Sequence, residues 1–174
     1  MSGAISTEFG TDATLGRDFL TWLWFRSETA GKFKADKGEE FFVFMEQHIV
    51  VQGGEGEMAE TASVSGAMSE LREVRLGLTT GKKVTRAQIR LDQGSESWRF
   101  TLKADDFSLS GFKTPKAEGG AEKEDNPEAL FFDKMYLLEK GIFFLDAAFR
   151  FFLKLRLSNE WKAELKSLQA WMYP

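Results

Sequence analysis

The 174-residue chain contains no cysteine, a single histidine, and no apolar run near the ~18 residues that a membrane-crossing helix needs. Each absence removes a class of chemistry. Without cysteine there is no disulfide, no thiolate zinc site, no iron–sulfur ligation and no thiol nucleophile. His48 alone gives a histidine metal site or a histidine-dependent triad no redundancy, so it reads as a surface or interface residue. No metal and no cofactor are expected. Residues 1–14 lack the basic start, apolar stretch and cleavage-like site of a secretory signal, so the expected compartment is the cytoplasm and no membrane partner is expected.

Aromatic residues are abundant, with seventeen Phe and five Trp, and a chain of this size buries roughly two-thirds of its unfolded surface. It is expected to fold by packing alone, as one domain spanning 1–174. Within it, residues 1–14 are a flexible start, 15–115 a helix plus a sheet, 116–126 an acidic linker, and 127–174 the C-terminal helices.

The net charge of −4 and an isoelectric point near 5.2 argue against a generic nucleic-acid binder. Charge is segregated, however. Residues 38–61 carry net −6, 69–103 net +4, 104–128 net −4 and 129–174 net +2. A basic block lies between two acidic ones.

Residues 15–28 (LGRDFLTWLWFRSE) are too densely apolar for a surface stripe and predict a well-buried helix capped by Asp12 or Thr14. Residues 31–38 read as a basic, Gly-bounded loop. Residues 39–52, rich in Phe and Val, predict a strand with 57–65 returning antiparallel to it. Leu71, Val74 and Leu78 space a short amphipathic helix over 69–78, closed by Gly81. Residues 83–91 and 97–103 form a second hairpin around Gly94-Ser95. Residues 105–115 read as irregular. Pro127 opens a long helix reaching 157, and a second helix starts at Ser158-Asn159 and ends at Trp171. The predicted class is α+β: an antiparallel sheet of about four strands in two hairpins, an N-terminal helix, a short middle helix and a C-terminal helical pair.

The Gly94-Ser95 turn fixes a register. Leu91 meets Trp98, Ile89 meets Phe100 and Ala87 meets Leu102 on a core face. The other face sets Arg90 opposite Arg99 and Arg86 opposite Lys103, and like charges directly opposite destabilise a sheet modestly. Two explanations follow. In one, Arg72, Arg75, Lys82, Lys83, Arg86, Arg90, Arg99 and Lys103 bind the phosphates of duplex DNA without reading bases. In the other, the acidic hairpin with Glu46, Glu57 and Glu60 lies alongside and neutralises the arginines internally.

The long helix is apolar over most of its circumference, with only a narrow charged stripe of Asp146, Arg150 and Lys154. It predicts burial on more than one side. Phe131, Phe132, Phe143, Phe144, Phe149, Phe151 and Phe152 are the candidate homodimer interface. Other motifs fail on spacing or sign. Gly77 to Lys82 is one residue short of a phosphate loop and follows a helix, and Gly53 to Gly56 is acidic. Glu39-Glu40 and Asp105-Asp106 fit no magnesium constellation. No catalytic residue is expected.

The strings LGRDFLTWLWFRSE (15–28), HIVVQGGEGE (48–57), SELREVRLGLTTGKKVT (69–85), WRFTLKADDFSLSGFKTP (98–115), FFDKMYLLEK (131–140) and LRLSNEW (155–161) resemble the C-terminal part of the recombination-associated protein RdgC family, in its δ-proteobacterial form. The resemblance implies a non-enzymatic, largely sequence-independent DNA-binding protein, associated with the nucleoid, that forms a ring-like homodimer and restrains recombinase filaments. Family chains are longer, with an N-terminal part that has no counterpart here, which adds a separate partner chain to the expectations. The alternative to DNA binding is an assembly domain that pairs with such a chain.

Overall fold

The structure, a computed structural model, describes residues 13–53, 60–64, 68–116 and 126–173. Among these, the elements run α1 (Ala13–Thr29), β1 (Lys32–Lys34), β2 (Glu40–Gly53), β3 (Glu60–Val64), α2 (Met68–Thr79), β4 (Lys83–Gln93), β5 (Glu96–Lys103), β6 (Leu109–Lys113), α3 (Pro127–Arg156) and α4 (Trp161–Met172). The fold is α+β, with the expected N-terminal helix, middle helix and C-terminal helical pair. Both hairpins belong to one antiparallel sheet in which β1 and β3 flank one side of the long strand β2, followed by β4, β5 and β6.

The sheet has six strands, two more than the sequence predicts. β1 lies inside the segment read as a loop: Phe33 is buried between exposed Lys32 and Lys34, a pattern too short to stand out between glycines. β6 lies inside the segment read as irregular. Gly111, at φ 60°, and a register shift between Arg99 and Thr101 break the alternation that would have marked it. The cap expected at Thr14 lies within α1, and Asp12 falls outside the described residues, as do 1–12 and most of the 116–126 linker.

The β4–β5 register is the predicted one, with Gly94 supplying φ 56° at the turn. Leu91, Ile89, Ala87, Trp98, Phe100 and Leu102 join Phe41, Val43 and Val84 on one face of the sheet, all essentially inaccessible. The helices cover that face. α1 is buried nearly all round, with Phe19, Leu20, Trp22, Leu23 and Trp24 at the centre of a single core.

Asn126 caps α3, its side chain accepting from the Ala129 N–H at 3.2 Å, and Pro127 occupies the first turn. Leu137, Gly141, Phe144, Ala148, Phe152 and Leu155 form the buried stripe of α3. Buried Trp98 donates its indole N–H to the Leu137 carbonyl at 2.7 Å, tying the helix to the sheet. This packing divides the candidate interface. Phe144 and Phe152 are fully buried within their own chain and offer nothing to a second one. Phe143 and Phe149 are half-buried against the same core, and Phe151 lies over Trp22 and Phe33. Phe131 and Phe132 remain exposed.

Candidate nucleic-acid interface on the open sheet face

Because strand residues alternate, covering one face with helices turns every second side chain toward the other face. Along β2 that face carries Glu40, Phe42, Phe44 and Glu46; β4 adds Arg86, Gln88, Arg90 and Asp92; β5 adds Ser97, Arg99, Thr101 and Lys103. Lys32 and Lys34 flank it on β1, and Lys113 stands opposite Arg99 on β6. Lys32, Lys34, Arg86, Arg90, Arg99, Lys103 and Lys113 face three carboxylates, Glu40, Glu46 and Asp92.

The like-charged ladder is partly neutralised from within. Glu46, the next outward residue of β2 after Phe44 and at the edge of a register shift between Met45 and Ile49, has one carboxylate oxygen that accepts from Arg90 at 3.2 Å and from Arg99 at 3.3 Å. Asp92 adds a second contact to Arg90 at 3.2 Å. Lys32 pairs with Glu40 at 2.7 Å, and the hydrogen bond it donates holds the Glu40 carboxyl below its ordinary range. Arg86 and Lys113 make no ion pair or hydrogen bond among the described residues, and Lys103 meets only the field of Asp106.

Arg86 and Lys103, with Val50, Gln52, Thr85, Asp105 and Asp106, line a shallow depression of about 370 Å³ on this face. Its two aspartates are held by other groups. Arg17 donates to Asp105 at 2.8 and 3.1 Å and pulls that carboxyl below the usual aspartate range. The side chain and backbone N–H of Ser108 do the same to Asp106. Neither acid pair sits in a metal cluster, and no group of three or more His, Asp or Glu side chains able to hold a metal ion occurs among the described residues.

The eight predicted contact residues are not one surface. Arg86, Arg90, Arg99 and Lys103 share the open face. Lys83 turns to the helix side and pairs with Asp18 of α1, which also accepts from Arg156 at 2.5 Å. Arg75 bonds Glu28 at 3.2 Å and lies over the Trp171 ring, joining α2 to α1 and α4. Lys82 lines a cleft of about 710 Å³ bounded by α1, the end of α2, α3 and α4, away from the open face. Arg72 is exposed on α2. His48 is exposed, as expected of a surface histidine.

Sequence reasoning missed Lys32, Lys34 and Lys113 because their strands were missed. It also missed Phe42 and Phe44, which are 45% and 37% exposed on the open face. The signal was present: both alternate with buried Phe41 and Val43, and period-2 alternation assigns them to the opposite face. The Arg90 guanidinium lies 4.4 Å from the centre of the Phe44 ring, a cation–π contact.

A second exposed feature lies on the first half of α3. Phe131, Phe132, Met135, Tyr136 and Ile142 are 43–62% exposed and fall within an arc of about 140° at 3.6 residues per turn, away from the buried stripe. No helix among the described residues is long and apolar enough to cross a membrane. No protein-family model matches the chain, and no curated protein matches it.

Proposed function

We propose that the open sheet face binds nucleic-acid phosphates and that the protein is a non-enzymatic, non-sequence-specific DNA-binding homodimer of the kind its RdgC-like strings imply. It would then act beside recombination or replication and reside with the nucleoid. One observation carries the reading: a sheet face that no helix among the described residues covers holds seven basic residues against five carboxylates, Glu40, Glu46 and Asp92 together with Asp105 and Asp106 at its depression, in a chain that is acidic overall. Arg86, Lys103 and Lys113 are the primary phosphate contacts, because no carboxylate pairs with them among the described residues. Arg90 and Arg99 contribute less while Glu46 holds them. Contacts of this kind give affinity without base readout.

Charge reversal tests it. Arg86→Glu with Lys103→Glu leaves every internal ion pair named above intact, so the fold should persist while DNA affinity falls at least tenfold in an anisotropy titration. Unchanged affinity contradicts the assignment.

The exposed strip on α3 supports self-association, since an apolar patch of this kind usually marks an interaction site. Sedimentation at dilute concentration should give a dimer, and Phe132→Asp a monomer. The second reading, an assembly domain that pairs with a separate chain and does not bind DNA, is favoured by the Glu46 bridge, which satisfies two arginines without any ligand. Absence of DNA binding at low salt, together with a monomer, would select it.

A further inference from the structure

Phosphate binding explains the cations of the open face and leaves its aromatics unexplained. Phe42 and Phe44 occupy alternate outward positions of β2, 45% and 37% exposed, although the sheet has an apolar face available one residue away at Phe41 and Val43. Leaving two phenyl rings partly in water on a charged surface forfeits the burial that stabilises core aromatics such as Phe41, Trp98 and Phe100. Both rings lie among the basic residues. Phe42 has Lys32 beside it on β1, and Phe44 has Arg90 beside it on β4 with the guanidinium 4.4 Å from the ring centre. Arg99 and Lys113 continue the same rung across β5 and β6. Phe44 also lies at an open stretch of β2, between Glu40–Phe42, which pairs with β1, and Ile49–Gly53, which pairs with β3.

Aromatic rings interleaved with arginines on an open sheet match nucleic acid whose bases can be laid flat. In a duplex the base faces are stacked on one another and present only edges, sugars and phosphates, so a ring on the protein gains nothing from them. In a single strand every base offers a π-face, and aromatic or guanidinium groups bind it with little regard to sequence. From the rung of Arg86 to the rung of Phe42 and Asp92 the strand rises about 20 Å at roughly 3.3 Å per residue, a track for several nucleotides.

Resting on the phosphate-binding reading above, we infer that the open sheet face is a single-strand platform: Phe42, Phe44 and the Arg90 guanidinium stack bases, while Arg86, Lys103 and Lys113 follow the phosphates. The preferred ligand is single-stranded DNA over the duplex.

The test uses the full chain, a labelled thymidine 15-mer and a 15-base-pair duplex, titrated by fluorescence anisotropy at about 50 mM salt. The single strand should bind tighter than the duplex. Phe44→Ala should weaken the single strand about 5- to 100-fold and the duplex less than twofold. Phe44→Leu keeps the apolar bulk and loses the ring; it should show the same selective loss, and a thermal melt like that of the unmodified chain verifies its fold. Phe42→Ala reports independently on the second ring. Duplex binding as tight as or tighter than single-strand binding, with the Phe variants neutral, overturns the platform while leaving phosphate binding standing. Failure to bind either probe overturns both.

Discussion

Gly16 has no room for a side chain. A Cβ built there would lie 1.9 Å from the carbonyl oxygen of Ala104, so the N-terminal turns of α1 rest directly on the backbone that follows β5. Backbone cannot swing aside as a flexible side chain would. Gly16→Ala is therefore expected to destabilise the protein by about 3 kcal/mol, the upper range for overpacking a tight contact, as read from chemical denaturation. A change under 1 kcal/mol would mean that α1 sits farther from the sheet. Two carboxylates serve as hubs in the same region. Glu164 accepts from the Trp22 indole at 2.8 Å and from Arg26 at 2.5 Å, and Glu28 accepts from Trp24, Trp171 and Arg75. These bonds satisfy the polar edges of tryptophans whose rings are otherwise in the core. None was readable from the sequence, because the partners are up to 143 positions apart.

At the scale of elements, legibility followed periodicity. The β4–β5 hairpin was read to the exact partner because one turn and a strict alternation determine every rung, and its like-charged pairs appeared where expected. β1 and β6 were missed because three and five residues with flanking or internal glycine carry too little pattern. The long helix ends within a residue of the position its pattern predicts, yet its seven phenylalanines do not form the one surface the sequence suggests. The buried stripe of α3 takes Phe144 and Phe152, whereas Phe131 and Phe132 lie outside that stripe and are exposed. The outward alternation of β2 matters most for function. It extends to Glu46, which follows Glu40, Phe42 and Phe44 and bonds Arg90 and Arg99 as the internal-neutralisation reading of the sequence expects. Glu46→Gln releases Arg99 and leaves Arg90 with Asp92 alone. It is expected to lower stability by about 1 kcal/mol, by removing a charged acceptor and restoring cross-strand repulsion, and to tighten DNA binding several-fold. Weaker binding would show that Glu46 positions the arginines instead of competing for them.

For the whole molecule, the net charge of −4 conceals a division into faces. The helices take the apolar side of the sheet, and several cations there are held by carboxylates at the helix packing seams: Lys83 and Arg156 on Asp18, Arg75 on Glu28, Arg26 on Glu164. The open side keeps a positive excess, part of it uncompensated. The basic block at 69–103 was legible as charge, but its division between two sides of a sheet was not, since residues 82 and 83 precede the alternating part of β4 and turn toward α1 and the cleft. DNA binding by the open face would act through a few cations that no carboxylate pairs with among the described residues. The most direct test is the dependence of DNA affinity on salt. With about three phosphates neutralised, by Arg86, Lys103 and Lys113, a plot of log affinity against log salt should fall with a slope of about −2 to −3, and Arg86→Glu should flatten it by about 1. A slope near zero, or one that Arg86→Glu leaves unchanged, would contradict phosphate binding by this face.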